Sequence, residues 1–193
     1  MRERFEIGVR ESEHHGTHGG VGTGALVVAK GLHRIDEVID ALFRQARHLF
    51  RLAAELHDVG KAEIPREILL KPAKLEPHEL EVMRRHASIG HELLRQSGEA
   101  GLEEVATVVL HHHESMDGSG YPAGLKGEGI PVLSRVVAVV DAYDAIASRR
   151  PYHDAKSHRD VMGLLFQQEG GKYDPHVLKV FAKAVEHSPY RAD

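Results

Sequence analysis

Cysteine is absent from the 193 residues of this chain. That excludes disulfides and any metal site built on thiolates, and it fits a cytoplasmic location. Long apolar runs are also missing. None approaches the roughly 18 residues that a membrane helix needs, so no membrane association is expected. The first six residues, Met1 to Glu6, carry no apolar signal core. Nor is there an excess of positive charge, since 25 Lys and Arg stand against 29 Asp and Glu for a formal net charge of −4. That balance argues against charge-driven binding to a nucleic-acid polymer, while leaving room for a local basic pocket for one anionic ligand. What the chain does have is histidine, 16 in all, none in a terminal run. With 41% hydrophobic and 28% charged residues, the chain reads as one globular domain over 1–193. It has no internal repeat, low-complexity tract or linker.

Apolar periodicity predicts an all-helical chain. From Ile35 to Leu56 apolar residues recur every three or four positions, a helical stripe with a split expected near Arg47 and Gly60 placed to end it. Pro65 and Pro72 mark an irregular segment with a short turn from Arg66 to Leu70. Leu75 to Gln96 reads as one helix, with Pro77 in its first turn and Ser97-Gly98 at its end. Leu102 to His112 reads as another. Asp117 to Gly129 is a loop, because Gly118, Gly120, Pro122 and Gly124 break regular structure. Val136 to Val140 has strand composition, but its apolar pattern runs on through Ala142, Ala145, Ile146 and Ala147, too long for an ordinary strand. Val161 to Gln168 and Pro175 to Val185 are closing helices. Residues 11–32 hold an atypical first helix, with six glycines between Gly16 and Gly31. Each costs about 0.5–1 kcal/mol relative to Ala, so this helix is expected to be the weakest.

Several residues carry chemistry. His57 and Asp58 adjoin, and helix neighbours point about 100° apart, so each makes its own contact; a bridging carboxylate beside a terminal imidazole suits a dinuclear metal site. An isolated His-Asp pair more often caps a helix, but here Gly60-Lys61 and further histidines follow. His86 stands between Met83 and Ile89 on its helix, whereas His91 faces elsewhere. His111, His112 and His113 end an apolar helix, so that two can serve two different metals while the third turns away. Asp141 follows five apolar residues, where a lone carboxylate is costly unless coordinated or paired. The bland alternative pairs it with Arg135 or Arg149, and Asp144 lies one turn on. Imidazoles and carboxylates without thiolates suit iron, manganese, zinc or nickel, and the imidazole-rich set with a bridging carboxylate leans to iron or manganese.

These residues resemble a family. Leu56-His57-Asp58-Val59-Gly60-Lys61, Arg85-His86-Ala87-Ser88-Ile89-Gly90, His112-His113-Glu114, Asp117-Gly118-Ser119-Gly120-Tyr121-Pro122, Asp141-Ala142-Tyr143-Asp144, Arg150-Pro151-Tyr152 and Tyr173-Asp174-Pro175 occur in the order and spacing of the HD-GYP domains, metal-dependent cyclic di-GMP phosphodiesterases of the HD superfamily. The likeness runs from about Leu52 to Phe181. It implies an HD-type helical bundle, with a five-helix core and added C-terminal helices. It implies two or three divalent ions, iron or manganese, on His57, Asp58, His86, His112, His113 and Asp141, with Asp58 bridging and His15 as a first-helix ligand. Glu11 fits a further first-helix ligand, and the pair His14 and His18 is an alternative. Lys61 would contact the substrate phosphate, Arg150 the nucleotide, and Tyr121 would wall the pocket.

The implied reaction is hydrolysis of cyclic di-GMP to pGpG, and onward to GMP in some relatives, by a metal-bridging hydroxide. A silent cyclic di-GMP-binding or protein-interaction module and a phosphohydrolase of another nucleotide are the alternatives. Diguanylate cyclases, adaptor proteins and a second copy of the chain are the implied protein partners. Two departures stand out. The glycine-rich first helix lacks the usual arginine, and His153 follows Arg150-Pro151-Tyr152 where a basic residue is usual.

Overall fold

In the computed structural model the described residues are 40, 43–148, 155–186 and 188. The chain divides into two units, Met1–Phe43 and Arg44–Asp193, and apart from residue 43, at the start of the first helix below, the description is of the second. The glycine-rich first helix, Arg150 and His153 lie outside the described residues.

The apolar stripe before His57 forms helix α1, residues 43–56, unbroken at Arg47 where a split was expected. It buries Ala53 completely and packs Leu49, Phe50, Leu52 and Leu56 against a first core. Gly60 does not end it. The helix stops before His57, and a turn leads into a 3-10 helix, Val59–Glu63, that contains Gly60. After the short α2, Arg66–Leu69, the segment expected as one helix is two: α3, Pro77–Arg84, and α4, His86–Gln96. Arg85 keeps helical dihedrals, but its amide bonds to the Val82 carbonyl at 3.2 Å, three residues back. Such local tightening leaves hydrophobic spacing nearly intact, so periodicity does not register it. A capping box of Glu76 and Glu79, with Pro77 in the first turn, starts α3.

Helix α5, Leu102–His111, starts after Gly101 in the left-handed region and ends one residue earlier than expected. The following loop contains one further 3-10 turn, Gly127–Gly129. The valine-rich run is helical, within α6, Val132–Ala147. Its composition follows from its position. Val137 joins the first core, with Leu94 and Val105, while Val139 and Tyr143 join a second, with Val161, Leu165 and Leu178. A helix buried on two sides reads as nearly continuous apolar sequence. α7, His158–Phe166, begins three residues before the expected Val161, capped by Ser157, whose hydroxyl accepts the Asp160 amide. α8, Pro175–Glu186, closes the bundle. Asp174 holds α8 to α6: it accepts the amides of His176 and Val177 and pairs with Arg135 at 2.8 Å. No strand occurs among the described residues, and no helix among them is long and apolar enough to cross a membrane. The described part of the chain is an all-α helical bundle.

Candidate metal centre

Three helix ends and one mid-helix position bring the chemistry together. His57 and Asp58 sit in the turn after α1, His86 at the start of α4, His112 and His113 just past α5, and Asp141 within α6. Three of the four imidazoles are oriented alike. Nδ1 of His57 meets the Ala54 carbonyl at 2.8 Å, that of His86 the Met83 carbonyl at 2.8 Å, and that of His112 the Val109 carbonyl at 2.6 Å. Each carbonyl lies three residues back. A carbonyl only accepts, so each Nδ1 carries the proton and, in the neutral ring, each Nε2 keeps its lone pair. This is the arrangement that orients metal-ligating histidines.

Those Nε2 atoms converge. Nε2 of His86 is 3.4 Å from Nε2 of His112 and 3.5 Å from Asp58 Oδ1. His57 Nε2 is 3.3 Å from Asp58 Oδ2 and 3.7 Å from Asp141 Oδ1, yet it has no hydrogen-bond partner although buried. His86, His112 and His113 each offer a ring nitrogen within 4.8 Å of the others, a spacing able to hold a metal ion. A buried nitrogen without a hydrogen bond, facing two carboxylates and beside three more imidazoles, fits a cation among them.

The charges agree. Burial lowers the pKa of His86, holds His112 down to about 4 and His113 down to about 3, so all three are neutral donors near pH 7. His57 is different: the facing carboxylates of Asp141 and then Asp58 raise it to about 10. For Asp58 burial opposes ionisation, but the adjacent His57 imidazole and the Lys61 ammonium prevail and hold the carboxyl well below its usual range. Asp141 is likewise held low by His57 against the effect of burial.

The rings of His112 and His113, just past the end of α5, lie 4.0 Å apart, centroid to centroid, and both join the same cluster. The third histidine does turn away: Nδ1 of His111 faces Glu114 at 3.5 Å. Of the two arginines offered as partners for Asp141, Arg135 is taken by Asp174, and Arg149 lies outside the described residues. Asp144 is exposed and accepts a bond from Ser148. Lys61 lies on Asp58, Nζ to Oδ2 at 2.5 Å. The first-helix candidates Glu11, His14, His15 and His18 lie outside the described residues.

Tyr121 stands beside the cluster, its ring 4.9 Å from His113 with Arg84 over it at 5.3 Å. Burial pushes its hydroxyl up, so it stays protonated. Sequence reasoning gave no role to Glu114. Its carboxylate is buried and accepts the amides of Ala123 at 2.8 Å and Leu125 at 3.0 Å, fastening the loop that carries Tyr121. A carboxylate directly after three histidines and before a glycine-rich loop was the available signal. Arg84 was likewise unassigned. A cleft of about 670 Å³ opens beside His113 and Tyr121, and a second of about 270 Å³ lies beside His112 and Asp141.

A helical bundle whose helix ends gather histidines and aspartates around one point is the HD type of fold. The HD domain family matches residues 35–177, and the chain belongs to that family. The cyclic di-GMP phosphodiesterase response regulator RpfG of Xanthomonas campestris is 47% identical over 130 residues, which is 67% of this chain and 34% of that protein. The chain thus spans about a third of that relative's length. Two solved structures share the fold. An HDG"Y"P protein from Bdellovibrio bacteriovorus superposes with a TM-score of 0.58 at 20% identity, covering 72% of this chain and 43% of that one. A cyclic GMP-AMP-specific phosphodiesterase of Vibrio cholerae superposes with a TM-score of 0.53 at 16% identity, covering 74% and 39%.

Proposed function

We propose that the chain is a metal-dependent phosphodiesterase that hydrolyses cyclic di-GMP to linear pGpG. The observation that carries this is the meeting of His57, Asp58, His86, His112, His113 and Asp141 at one point, with the Nε2 atoms of His57, His86 and His112 aimed there by backbone carbonyls. The substrate is taken from the 47% identity to a relative named for cyclic di-GMP. In this reading the six residues hold two or three divalent ions, iron or manganese, with Asp58 placed between His57 and His86 as the bridging carboxylate. When bound, such ions activate water at neutral pH and neutralise charge on the phosphoryl oxygens.

The chain's own groups do the rest. Lys61 sets a positive charge at the edge of the cluster, where it meets the phosphate and holds Asp58 ionised. Tyr121, clasped between His113 and Arg84, walls the cleft that receives the nucleotide. His15 with Glu11, or His14 with His18, and Arg150 belong to the same reading, as does the extent of the domain over 1–193.

The test is anaerobic purification, elemental analysis, and turnover of cyclic di-GMP with iron or manganese, followed by the same assays on Asp58→Ala. Bound metal with pGpG formation, and near-complete loss of both in the variant, is the expected result. Wild-type turnover by Asp58→Ala overturns the assignment. Bound metal and tight cyclic di-GMP binding without pGpG means a binding module, and turnover of a different nucleotide in a substrate panel means a different phosphohydrolase.

A further inference from the structure

Three of the four clustered imidazoles owe their orientation to a backbone carbonyl three residues back. His113 does not. Among the described residues no hydrogen bond reaches its ring, neither from the Leu110 carbonyl, the equivalent group, nor from any other. A ligating histidine relies on such an outer contact to hold its ring in the plane the metal needs. For His113 some other group has to supply it.

The His113 imidazole is boxed in by rings. His112 lies 4.0 Å away, centroid to centroid, and His86 meets it nearly edge-on at 5.0 Å. Tyr121 lies at 4.9 Å, its plane inclined by 31° to that of His113. Ring pairs at such spacing attract one another beyond the area they bury. His86 and His112 are themselves candidate ligands. Tyr121 is the ring that is held from outside the cluster.

Its placement is fixed by the backbone around it. The Tyr121 amide bonds to the His113 carbonyl at 3.2 Å. Gly120 sits so close to the chain just past His113 that a Cβ there would overlap the Glu114 backbone and the Ser115 amide. On the far side of Tyr121, the Glu114 carboxylate accepts the amides of Ala123 and Leu125. The Arg84 guanidinium lies over the Tyr121 ring at 5.3 Å, within cation–π reach. The loop is thus pinned to the very segment that carries His113, which sets the tyrosine ring against the imidazole.

We propose that Tyr121 is a positioning residue for the metal centre: its ring fixes the plane of the His113 imidazole, as a backbone carbonyl does for His57, His86 and His112. This rests on the metal-dependent reading above and gives Tyr121 a role toward the metal that is separate from walling the cleft.

The experiment titrates the metal-free full chain with Co(II), followed by visible absorption, so that no nucleotide takes part. Tyr121→Leu should bind about ten- to a hundredfold more weakly, the scale of losing an outer partner of a ligating histidine. Should that variant not fold, Tyr121→Met serves in its place. Tyr121→Phe, which keeps the ring, should bind like wild type. In a His113→Ala background Tyr121→Leu should cost nothing further, because a residue that acts through His113 has nothing left to act on. Equal affinity in wild type and Tyr121→Leu overturns the proposal. So do additive losses in the double variant, and so does a loss in Tyr121→Phe as large as that in Tyr121→Leu, which assigns the effect to the hydroxyl. Hydrogen exchange at residues 123 and 125 in metal-free Tyr121→Leu should match wild type. Acceleration there means that the loop, not the ring, does the holding, and also overturns the proposal. A wild type that takes up no Co(II) overturns the metal-dependent reading and this inference with it, whereas Co(II) uptake that Tyr121→Leu does not alter overturns the inference alone.

Discussion

Gly60 lies directly against the backbone of His86. A Cβ at position 60 would overlap the His86 carbonyl and crowd the Gly90 amide. The 3-10 turn that follows His57 and Asp58 is therefore seated on the first turn of the helix that carries His86, and the distance between these candidate ligands is set by a glycine. Its role is close approach of two backbones, not the helix termination that its position suggests.

Gly60→Ala should push the two segments apart. Overpacking of this kind costs about 1–3 kcal/mol, and it should also lower metal content, because His86 moves relative to Asp58. Thermal denaturation and elemental analysis of the same preparation check this. A variant with wild-type stability and metal would show that the contact relaxes freely.

His86→Ala and His112→Ala should each remove metal while keeping the fold. Both side chains are buried, so a modest loss of stability is expected as well. The measurement is metal per chain after gel filtration, beside far-UV circular dichroism. Chelation of the wild type should abolish turnover, and added iron or manganese should restore it.

Lys61→Ala should leave metal content near that of wild type and lower turnover by about a hundred- to a thousandfold, the scale of one lost electrostatic donor at a developing charge. Loss of metal instead would assign Lys61 to holding Asp58, with which it pairs.

Glu114→Gln should loosen the Tyr121 loop. The carboxylate accepts two amides, those of Ala123 and Leu125, and a carboxamide oxygen can replace only one of those acceptors in place. The cost is about 1–3 kcal/mol for the amide left without a partner. Hydrogen exchange at residues 123 and 125 should accelerate, while exchange in α7 should not.

Asp174 predicts an acid limb of stability. Burial opposes its charge, but Arg135 and the amides of Val177 and His176 outweigh that and hold the carboxyl below its usual range. A carboxylate lowered on folding stabilises above its unfolded pKa, about 3.9 for Asp, and that contribution fades as pH falls through the lower folded value. Wild type should thus exceed Asp174→Asn in urea midpoint at neutral pH, and the gap should close with acidification. A gap that does not change with pH would contradict the assignment.

The sequence by itself determined the helical class, most helix positions and the set of candidate ligands, because apolar spacing and residue type are local properties. The valine run of α6 was legible as helix from its length alone. Contacts between segments distant in the chain were not legible. The tertiary structure decided that α1 runs straight past Arg47, that the α3–α4 helix breaks at Arg85, that His112 and His113 converge, that Lys61 leans on Asp58, and that Glu114 fastens a loop. Each of these depends on how helices stack, where a half-turn of tightening or a missing Cβ shifts a side chain by ångströms without disturbing the hydrophobic pattern that periodicity reads.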